Sequence, residues 1–300
     1  MRRLRLLLGL VPLVGGLELG LHQYFAARAP GFPAYQALGK EILRRKQPGV
    51  PVVVSPAWAE PLVRQAAPAA FPVAELARPD DRGFARFLEV SLLGATAAEL
   101  ADFPIREQQE HGAFTLLLRD SPRFEESYFD FVTAVESGAA EVWHEVAAGR
   151  SRCSLVDRQR ATTGGLHGSV ARPARRFECP GGRFVGVTLI EDQQYRARRC
   201  ILVDPARAGH IVLRFAAVPA SGRLVGFTGF PYFLSRDQRG KPVELALSED
   251  GRELGRRGSE PRDGWQRFDV RRPGPAAAIE VAVLRHQDEP GDFCFALEAR

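Results

Sequence analysis

The sequence lacks the short motifs that identify most enzymes. No serine stands in a Gly-x-Ser-x-Gly turn, and no glycine-rich loop ends in the Lys-Ser/Thr of a phosphate loop. The stretch WHEVAAG has Ala148 where a zinc-binding helix needs a second histidine, four residues after His144. These absences exclude the enzyme classes that a local motif reveals. They leave open glycosidases, which need only two carboxylates brought together by the fold.

Lysine is scarce as well. Lys40, Lys46 and Lys241 are the only lysines among 41 basic residues, and such use of arginine is typical of a GC-rich bacterial genome. The formal charge is +5, but the arginines are scattered along the chain with Glu and Asp between them. Nucleic-acid binding needs basic residues clustered on one face. We therefore expect no nucleic-acid partner.

An apolar run long enough to span a bilayer is also missing, although the N-terminus begins like an export segment. Three arginines in the first five residues precede an apolar stretch at 6–25, in which the uncharged run that begins at residue 6 ends at residue 17, before Glu18. A full span needs about 20 apolar residues. We predict that residues 1–28 are an uncleaved signal-anchor or a cleaved signal peptide; a buried helix of a cytosolic protein is the third alternative. Ala27-Arg28-Ala29 before Pro30 is a poor cleavage site, which favours the anchor.

The four cysteines support export. They are Cys153, Cys179, Cys200 and Cys294, an even number in which no two form a C-x-x-C pair. Because zinc-ligand spacing is absent, disulfides are the better hypothesis. Three pairings are open. We favour Cys153–Cys179 and Cys200–Cys294, with four reduced buried thiols as the alternative. Together with the N-terminus, they predict a bacterial envelope protein, held by a single pass in the inner membrane with its domains in the periplasm or outside.

The first globular stretch, 31–137, has the pattern of a small α/β domain. FPAYQALGKEILRRK has apolar residues at helical spacing, and VPVVVSP is a short buried strand. FPVAEL, RFLEVSLLG and HGAFTLLLRD are further strand candidates. Strands that alternate with short helices predict a small parallel or mixed sheet.

The second stretch, 150–300, contains eight segments that alternate apolar and polar residues with a period of two. They include GRFVGVTLIED, HIVLRFAAV, AAIEVAVLRH and DFCFALEA. This pattern predicts an all-β sandwich of jelly-roll type. Asp250-Gly251 is a strong hairpin signal between two of the strands.

Two resemblances follow from these segments. GVPVVVSPAWAEPLVRQ followed by ARFLEVSLL resembles the soluble α/β segment of bacterial envelope proteins related to the extracytoplasmic tails of polytopic glycosyltransferases. DGWQRFDV followed by AAIEVAVLR is similar to galactose-binding-like jelly rolls. The membrane-embedded catalytic part of those glycosyltransferases has no counterpart here, so the first resemblance implies no transferase activity.

One aromatic stretch, GFTGFPYFLSRD, supplies the candidate binding site. We predict that Phe230 and Tyr232, backed by Trp265 or Arg236, present a flat apolar face to a sugar ring, because such stacking buries the C–H surface of the ring. Gly226 and Gly229 would let the ligand approach the backbone. The alternative is that Phe227 and Leu234 plug the sandwich core and the loop folds over its end.

Two function hypotheses remain open. The first is a non-catalytic, membrane-tethered protein that binds an envelope glycan or another envelope protein. The second is an exported hydrolase or transferase acting on envelope glycans. We expect no cofactor and no metal; the alternative is a calcium ion at Glu191 or Asp192, which neighbour each other on a strand.

Overall fold

The chain folds into two compact units whose segments interleave along the sequence. The computed structural model describes residues 14–21, 23, 29–158, 172–204, 209–232, 234, 241–285 and 292–300. Unit 1 comprises Met1–Phe71 and Arg86–Asp120, and unit 2 comprises Pro72–Ala85 and Ser121–Arg300.

Unit 1 is built on a four-stranded sheet in the order β1-β2-β4-β3. The first pair is parallel and the other pairs are antiparallel, so the sheet is mixed. Its elements are helix α1 (Phe32–Arg45), β1 (Val52–Ser55), helix α2 (Glu60–Ala66), β2 (Arg86–Leu92), β3 (Ile105–His111) and β4 (Phe114–Asp120).

Helix α1 packs against this sheet within unit 1. On α1, Tyr35, Leu38 and Ile42 recur at helical spacing and are buried, and the Tyr35 ring packs edge-on against Phe114 of β4 at 5.0 Å. A buried ion pair also belongs to the sheet. Glu89 accepts hydrogen bonds from Arg119 Nε at 2.5 Å and from the Ala97 amide at 2.7 Å, which ties the segment after β2 to the sheet.

The FPVAEL segment is a helical turn, and its prediction as a strand is wrong. Helix α3 (Val73–Leu76) begins after Pro72, and the Ala77 amide donates to the Val73 carbonyl at 2.9 Å. Proline fits the start of a helix because its missing N–H is not needed there. The apolar side chain of Val73 is exposed instead of entering a sheet, and the turn belongs to unit 2.

Unit 2 is a β-sandwich, which confirms that prediction. One sheet has the order β16-β13-β18-β11-β10-β9-β8, with β5 beside β18, and the other has the order β15-β14-β17-β12-β6-β7. The elements are β5 (Phe129–Asp130), helix α4 (Phe131–Ser137), β6 (Glu141–Val146), β7 (Gly149–Arg152), β8 (Ser154–Asp157), β9 (Arg175–Cys179), β10 (Arg183–Glu191), β11 (Ala197–Val203), β12 (His210–Val218), β13 (Arg223–Gly229), β14 (Val243–Glu249), β15 (Arg252–Ser259), β16 (Gln266–Arg271), β17 (Ala277–Arg285) and β18 (Phe293–Ala299).

The sandwich core combines inward residues of both sheets, such as Leu213 and Val281 from one sheet and Leu297 from the other. Strand β13 is buried on both of its faces, which explains why its sequence shows no apolar and polar alternation. Residues 72–85 pack on the outer side of the eight-stranded sheet, where the Arg199 amide donates to the Ala77 carbonyl at 2.8 Å.

The two units divide the chain differently from the predicted boundaries of 31–137 and 150–300. Unit 2 already includes β5, α4 and β6, because Asp130 of β5 pairs with Glu298 of β18 and β6 pairs with β12. A unit that began at residue 150 would lack a strand from the middle of the six-stranded sheet.

Two disulfides are present, as predicted, in the favoured pairing. Cys153 follows β7 of one sheet and is joined to Cys179 of β9 in the other, so this bond links the two sheets. Cys200 of β11 is joined to Cys294 of β18, its neighbour in the same sheet. The Asp250-Gly251 hairpin is also confirmed, with left-handed φ angles of 46° and 81° between β14 and β15.

The predicted N-terminal helix lies largely outside the described residues. Residues 14–21 are helical, and their apolar side chains, among them Val14, Leu17 and Leu21, are exposed. Among the parts of the chain that the structure describes, no helix has both the length and the apolar character required to span a membrane.

Candidate functional site

Phe230 does not form part of an exposed aromatic face. Its side chain is 2% exposed and packs edge-on against Phe293 of β18, with the ring centroids 5.4 Å apart. Phe227 and Leu234 are buried as well. For these three residues the core-plug alternative describes the structure, and the prediction of Phe230 as a ligand-binding residue is wrong because its ring has no access to solvent.

Trp265 is occupied within the protein, and Arg236 lies outside the described residues. The half-buried Trp265 ring stacks parallel to Phe227 at 6.1 Å, and its Nε1 donates to the Pro79 carbonyl at 3.1 Å. The Arg198 guanidinium lies 5.8 Å from the centroid of the same ring. Trp265 therefore holds residues 72–85 against the sheet and does not back a sugar platform.

The two glycines of β13 make room for aromatic rings of the protein itself. A Cβ at Gly226 would lie 2.0 Å from the Phe268 ring, and one at Gly229 would lie 2.8 Å from Trp265. Both rings come from the β16 side of the sheet and cover the glycines. The prediction that these glycines admit a ligand is wrong, because the space is filled.

Tyr232 belongs to a pair of tyrosines at the surface of unit 2. Its ring lies 4.8 Å from that of Tyr195, with the ring planes inclined by 46°, and the two hydroxyls are hydrogen-bonded at 2.8 Å. Tyr195 is 66% exposed and Tyr232 is half-buried. Sequence analysis missed Tyr195, which stands alone in the polar turn EDQQYRA. We call these two residues the tyrosine pair.

The turn that carries Tyr195 is held by Asp192. Tyr195 adopts a left-handed φ of 59°, which is uncommon for a bulky side chain. The fully buried Asp192 accepts from the amides of Gln194 and Arg196, both at 2.9 Å, and from Arg198 Nε at 2.8 Å. A strained residue fixed by several bonds is typical of binding sites.

These bonds also bear on the calcium alternative. Both carboxylate oxygens of Asp192 already have donors, whereas the adjacent Glu191 is exposed. In the described ranges, no group of three or more His, Cys, Asp or Glu side chains is arranged to hold a metal ion.

Unit 2 also contains a cavity of about 500 Å³, which we call the α3 cavity. Residues 73–84, the region around α4 and the outer face of β18 form its walls. The lining residues are Val73, Ala74, Ala77, Arg78, Pro79, Asp80, Gly83, Phe84, Ser127, Asp130, Val132, Thr133, Glu136, Arg199, Ala296, Glu298 and Arg300.

Glu298 is one of the titratable groups of the cavity whose pKa is shifted. Burial raises the pKa of Glu298, the Arg300 guanidinium opposes that effect, and the carboxylates of Asp130 and Asp80 add to it. Arg300 Nε donates to Glu298 Oε2 at 2.8 Å. The other oxygen, Oε1, accepts no hydrogen bond from any residue that the structure describes, and Glu298 lines the cavity.

Glu298 and Asp130 are two of the carboxylates that line the cavity. They stand opposite each other on β18 and β5, which places their side chains on one face. Asp130, however, caps α4: its Oδ1 accepts from the Val132 amide at 2.9 Å and its Oδ2 from the Thr133 hydroxyl at 2.5 Å. Both oxygens of Asp130 are therefore engaged at the start of α4.

A cluster of arginines surrounds Glu125 beside the cavity. Burial opposes ionisation of this carboxyl, but hydrogen bonds from Arg82 and Arg300 and the charges of Arg223 and Arg267 lower its pKa to about 2. Arg300 also pairs with Asp80 at 2.9 Å. The network ties the end of β18 to residues 72–85 and to the segment before β5.

Comparison with known proteins places the chain in no family. No protein-family model matches it, and no curated protein matches it. Neither comparison supports the resemblance to glycosyltransferase-related envelope proteins.

Solved structures that match include several carbohydrate-binding modules. The M60 catalytic domain with the CBM51-1 and CBM51-2 domains of Clostridium perfringens ZmpB matches 67% of this chain and 20% of its own, at 11% identity and a TM-score of 0.29. The CBM51 of Clostridium perfringens GH95 in complex with methyl-galactose matches 41% of this chain and 79% of its own, at 10% identity and a TM-score of 0.25.

The carbohydrate-binding module CBM6cm-2 of Cellvibrio mixtus lichenase 5A, in complex with cellotriose, matches 38% of this chain and 84% of its own, at 13% identity and a TM-score of 0.25. This chain thus spans about a fifth of the first match and most of the other two. The superpositions are too loose to carry function from those proteins to this one.

Proposed function

We propose that this protein is an exported, membrane-tethered envelope protein that binds a glycan at the tyrosine pair. The observation that carries the proposal is the exposed Tyr195 ring beside Tyr232 on a turn that Asp192 holds in a strained conformation. We favour the binding role over the enzyme alternative, because the carboxylate of Asp130 is engaged as the cap of α4.

The geometry of the pair suits a sugar ring. Two rings inclined by 46° offer an angled apolar surface against which the C–H face of a pyranose can be buried. The exposed polar residues Gln194 and Arg196 flank Tyr195 and can bond the hydroxyls at the rim. Because the turn is already ordered, binding costs little conformational entropy.

The tether is proposed for the N-terminal segment. Three arginines precede an apolar stretch, and apolar side chains at 14–21 are exposed in the structure, where water is an unfavourable surrounding for them. Two disulfides are consistent with an oxidising compartment such as the periplasm. The proposed location is the inner membrane, with both units on the extracytoplasmic side.

Glycan binding is tested with the full chain on envelope polysaccharide and on a glycan array. Tyr195→Ala and Tyr232→Ala should each strongly weaken binding of the polysaccharide, whereas Tyr128→Ala, which removes an exposed tyrosine elsewhere in unit 2, should not. If the wild type retains no glycan, or if all three variants bind equally, the tyrosine pair is not a glycan site. Capture of another envelope protein through the same two tyrosines would replace the glycan by a protein partner.

The tether is tested by fractionation of the bacterium that expresses the full chain. The wild type should sediment with membranes, and a chain that lacks residues 1–28 should not. Thiol labelling without reductant should find no free cysteine. Recovery of the wild type from the cytosol with four reactive thiols would overturn this part of the proposal.

A further inference from the structure

The α3 cavity is a concave site, and neither residue of the tyrosine pair lines it. Its volume of about 500 Å³ lies within the range of about 300–1,000 Å³ that is usual for small-molecule sites. One part of its wall is apolar and includes Val73, Ala77 and the half-buried ring of Phe84. This volume and a partly apolar wall are typical of a site for a small molecule.

The charges of the lining are engaged in ion pairs. Arg300 bonds Asp80 at 2.9 Å and Glu298 at 2.8 Å, and Arg199 bonds Glu136. An anion in the cavity would therefore meet carboxylates, and a cation would meet guanidinium groups that are already in place. An uncharged ligand avoids both repulsions.

Two oxygens of the lining remain available for hydrogen bonds with a ligand. Glu298 Oε1 and Ser127 Oγ have no hydrogen-bond partner in the described part of the chain, and both side chains line the cavity. A carboxyl oxygen accepts from a hydroxyl, and a serine hydroxyl both donates and accepts. Polar groups on one side and an aromatic ring on the other are the features that a hydroxylated ring requires.

We infer that the α3 cavity binds a single uncharged sugar residue, at a site independent of the tyrosine pair. The choice of a sugar as ligand rests on the glycan-binding function proposed above, whereas the site itself rests on the cavity and its paired charges. In this arrangement Phe84 contacts the apolar face of the sugar, and Glu298 accepts from one of its hydroxyls. A polysaccharide would then have one contact along its length at the tyrosine pair and a second with a terminal residue in the cavity.

The test uses the full chain with glucose, galactose and N-acetylglucosamine as probes, measured by calorimetry and by saturation-transfer NMR. Ala74 is exposed on α3 and lines the cavity, so Ala74→Trp should obstruct it without disturbing the core. We expect at least one of these sugars to bind the wild type. The same sugar should bind Ala74→Trp at least about tenfold more weakly. Glu298→Gln, which keeps the shape of the side chain, should also weaken binding.

Two matched variants separate this site from the tyrosine pair. Ala220→Trp adds the same indole at an exposed position of unit 2 that does not line the cavity, and Tyr195→Ala disrupts the pair; both should bind the monosaccharide like the wild type. Absence of monosaccharide binding in the wild type, or equal affinity in Ala74→Trp, would overturn the cavity site even if polysaccharide binding persists. Loss of monosaccharide binding in Tyr195→Ala would assign the sugar to the tyrosine pair instead. Binding of acetate or methylammonium with no sugar bound would overturn the ligand class.

Discussion

Single residues set the acid stability of unit 2, and Glu125 is the clearest case. Its pKa is about 2 in the folded protein against an ordinary value of 4.5, so the folded state favours the ionised carboxylate. This contribution to stability is complete above pH 4.5 and is lost as the pH falls towards 2.

We therefore predict that Glu125→Gln lowers the free energy of unfolding at neutral pH, and that its difference from the wild type disappears near pH 2. The raised pKa of Glu298 has the opposite effect, because it favours the protonated form in the folded state. Glu298 is present in both the wild type and Glu125→Gln, so its effect cancels in the difference between them. Urea unfolding of the two proteins at a series of pH values measures the difference. A constant difference across that range would show that the arginine cluster does not depend on the charge of Glu125.

Truncation of Phe227 and truncation of Tyr195 should differ in their cost to stability. Phe227 is 2% exposed against Trp265, and Phe227→Ala should cost about 3–5 kcal/mol of stability by leaving a cavity in the core. Tyr195→Ala should cost about 1 kcal/mol or less, because the ring is exposed. Thermal unfolding of each variant distinguishes the two roles. Equal losses would mean that the tyrosine pair is structural.

At the scale of elements, the two disulfides close loops of different length. Cys153–Cys179 spans 26 residues and links the sheets, whereas Cys200–Cys294 spans 94 residues and links neighbouring strands. The loop-entropy relation assigns about 3.5 kcal/mol to the shorter loop and about 4.7 kcal/mol to the longer one.

We predict that replacing Cys200 and Cys294 together by alanine destabilises the protein by about 1 kcal/mol more than replacing Cys153 and Cys179. Chemical unfolding under oxidising conditions gives both values. The reverse order would indicate that holding the two sheets together matters more than the entropy of the unfolded chain.

At the scale of the whole molecule, a part that folds independently has to follow the boundaries of the two interleaved units. Residues 86–120 leave unit 2 after Ala85 and return at Ser121, and the Ser121 amide donates to the Ala85 carbonyl at 2.8 Å, so the two ends are adjacent. Unit 2 therefore has its own continuous core when 86–120 are omitted.

We predict that residues 72–85 joined to 121–300 by a short glycine linker fold independently with both disulfides. A chain that starts at Gly149 should not fold, because it lacks β5, α4 and β6 as well as Asp80, the partner of Arg300. Dispersed NMR amide signals and cooperative unfolding are the measurements. Cooperative folding of the 149–300 chain would show that the earlier elements are dispensable.

The sequence by itself determined the features that depend on local pattern. Alternation with a period of two identified most strands of the sandwich, Asp250-Gly251 identified a hairpin, and the even set of cysteines predicted disulfides. Each of these follows from residues close together in the chain, or from a count, and needs no knowledge of what packs against them.

Only the tertiary structure decided which aromatics are covered and where the sites lie. Phe230 and Tyr232 are two positions apart, yet one faces Phe293 in the core and the other meets Tyr195, which stands 37 residues earlier. Likewise, β13 is buried on both faces, which removes the alternation from its sequence, and the α3 cavity joins residues 73–84 to Glu298 and Arg300. Burial is a property of the long-range partners of a residue, and local sequence carries no record of them.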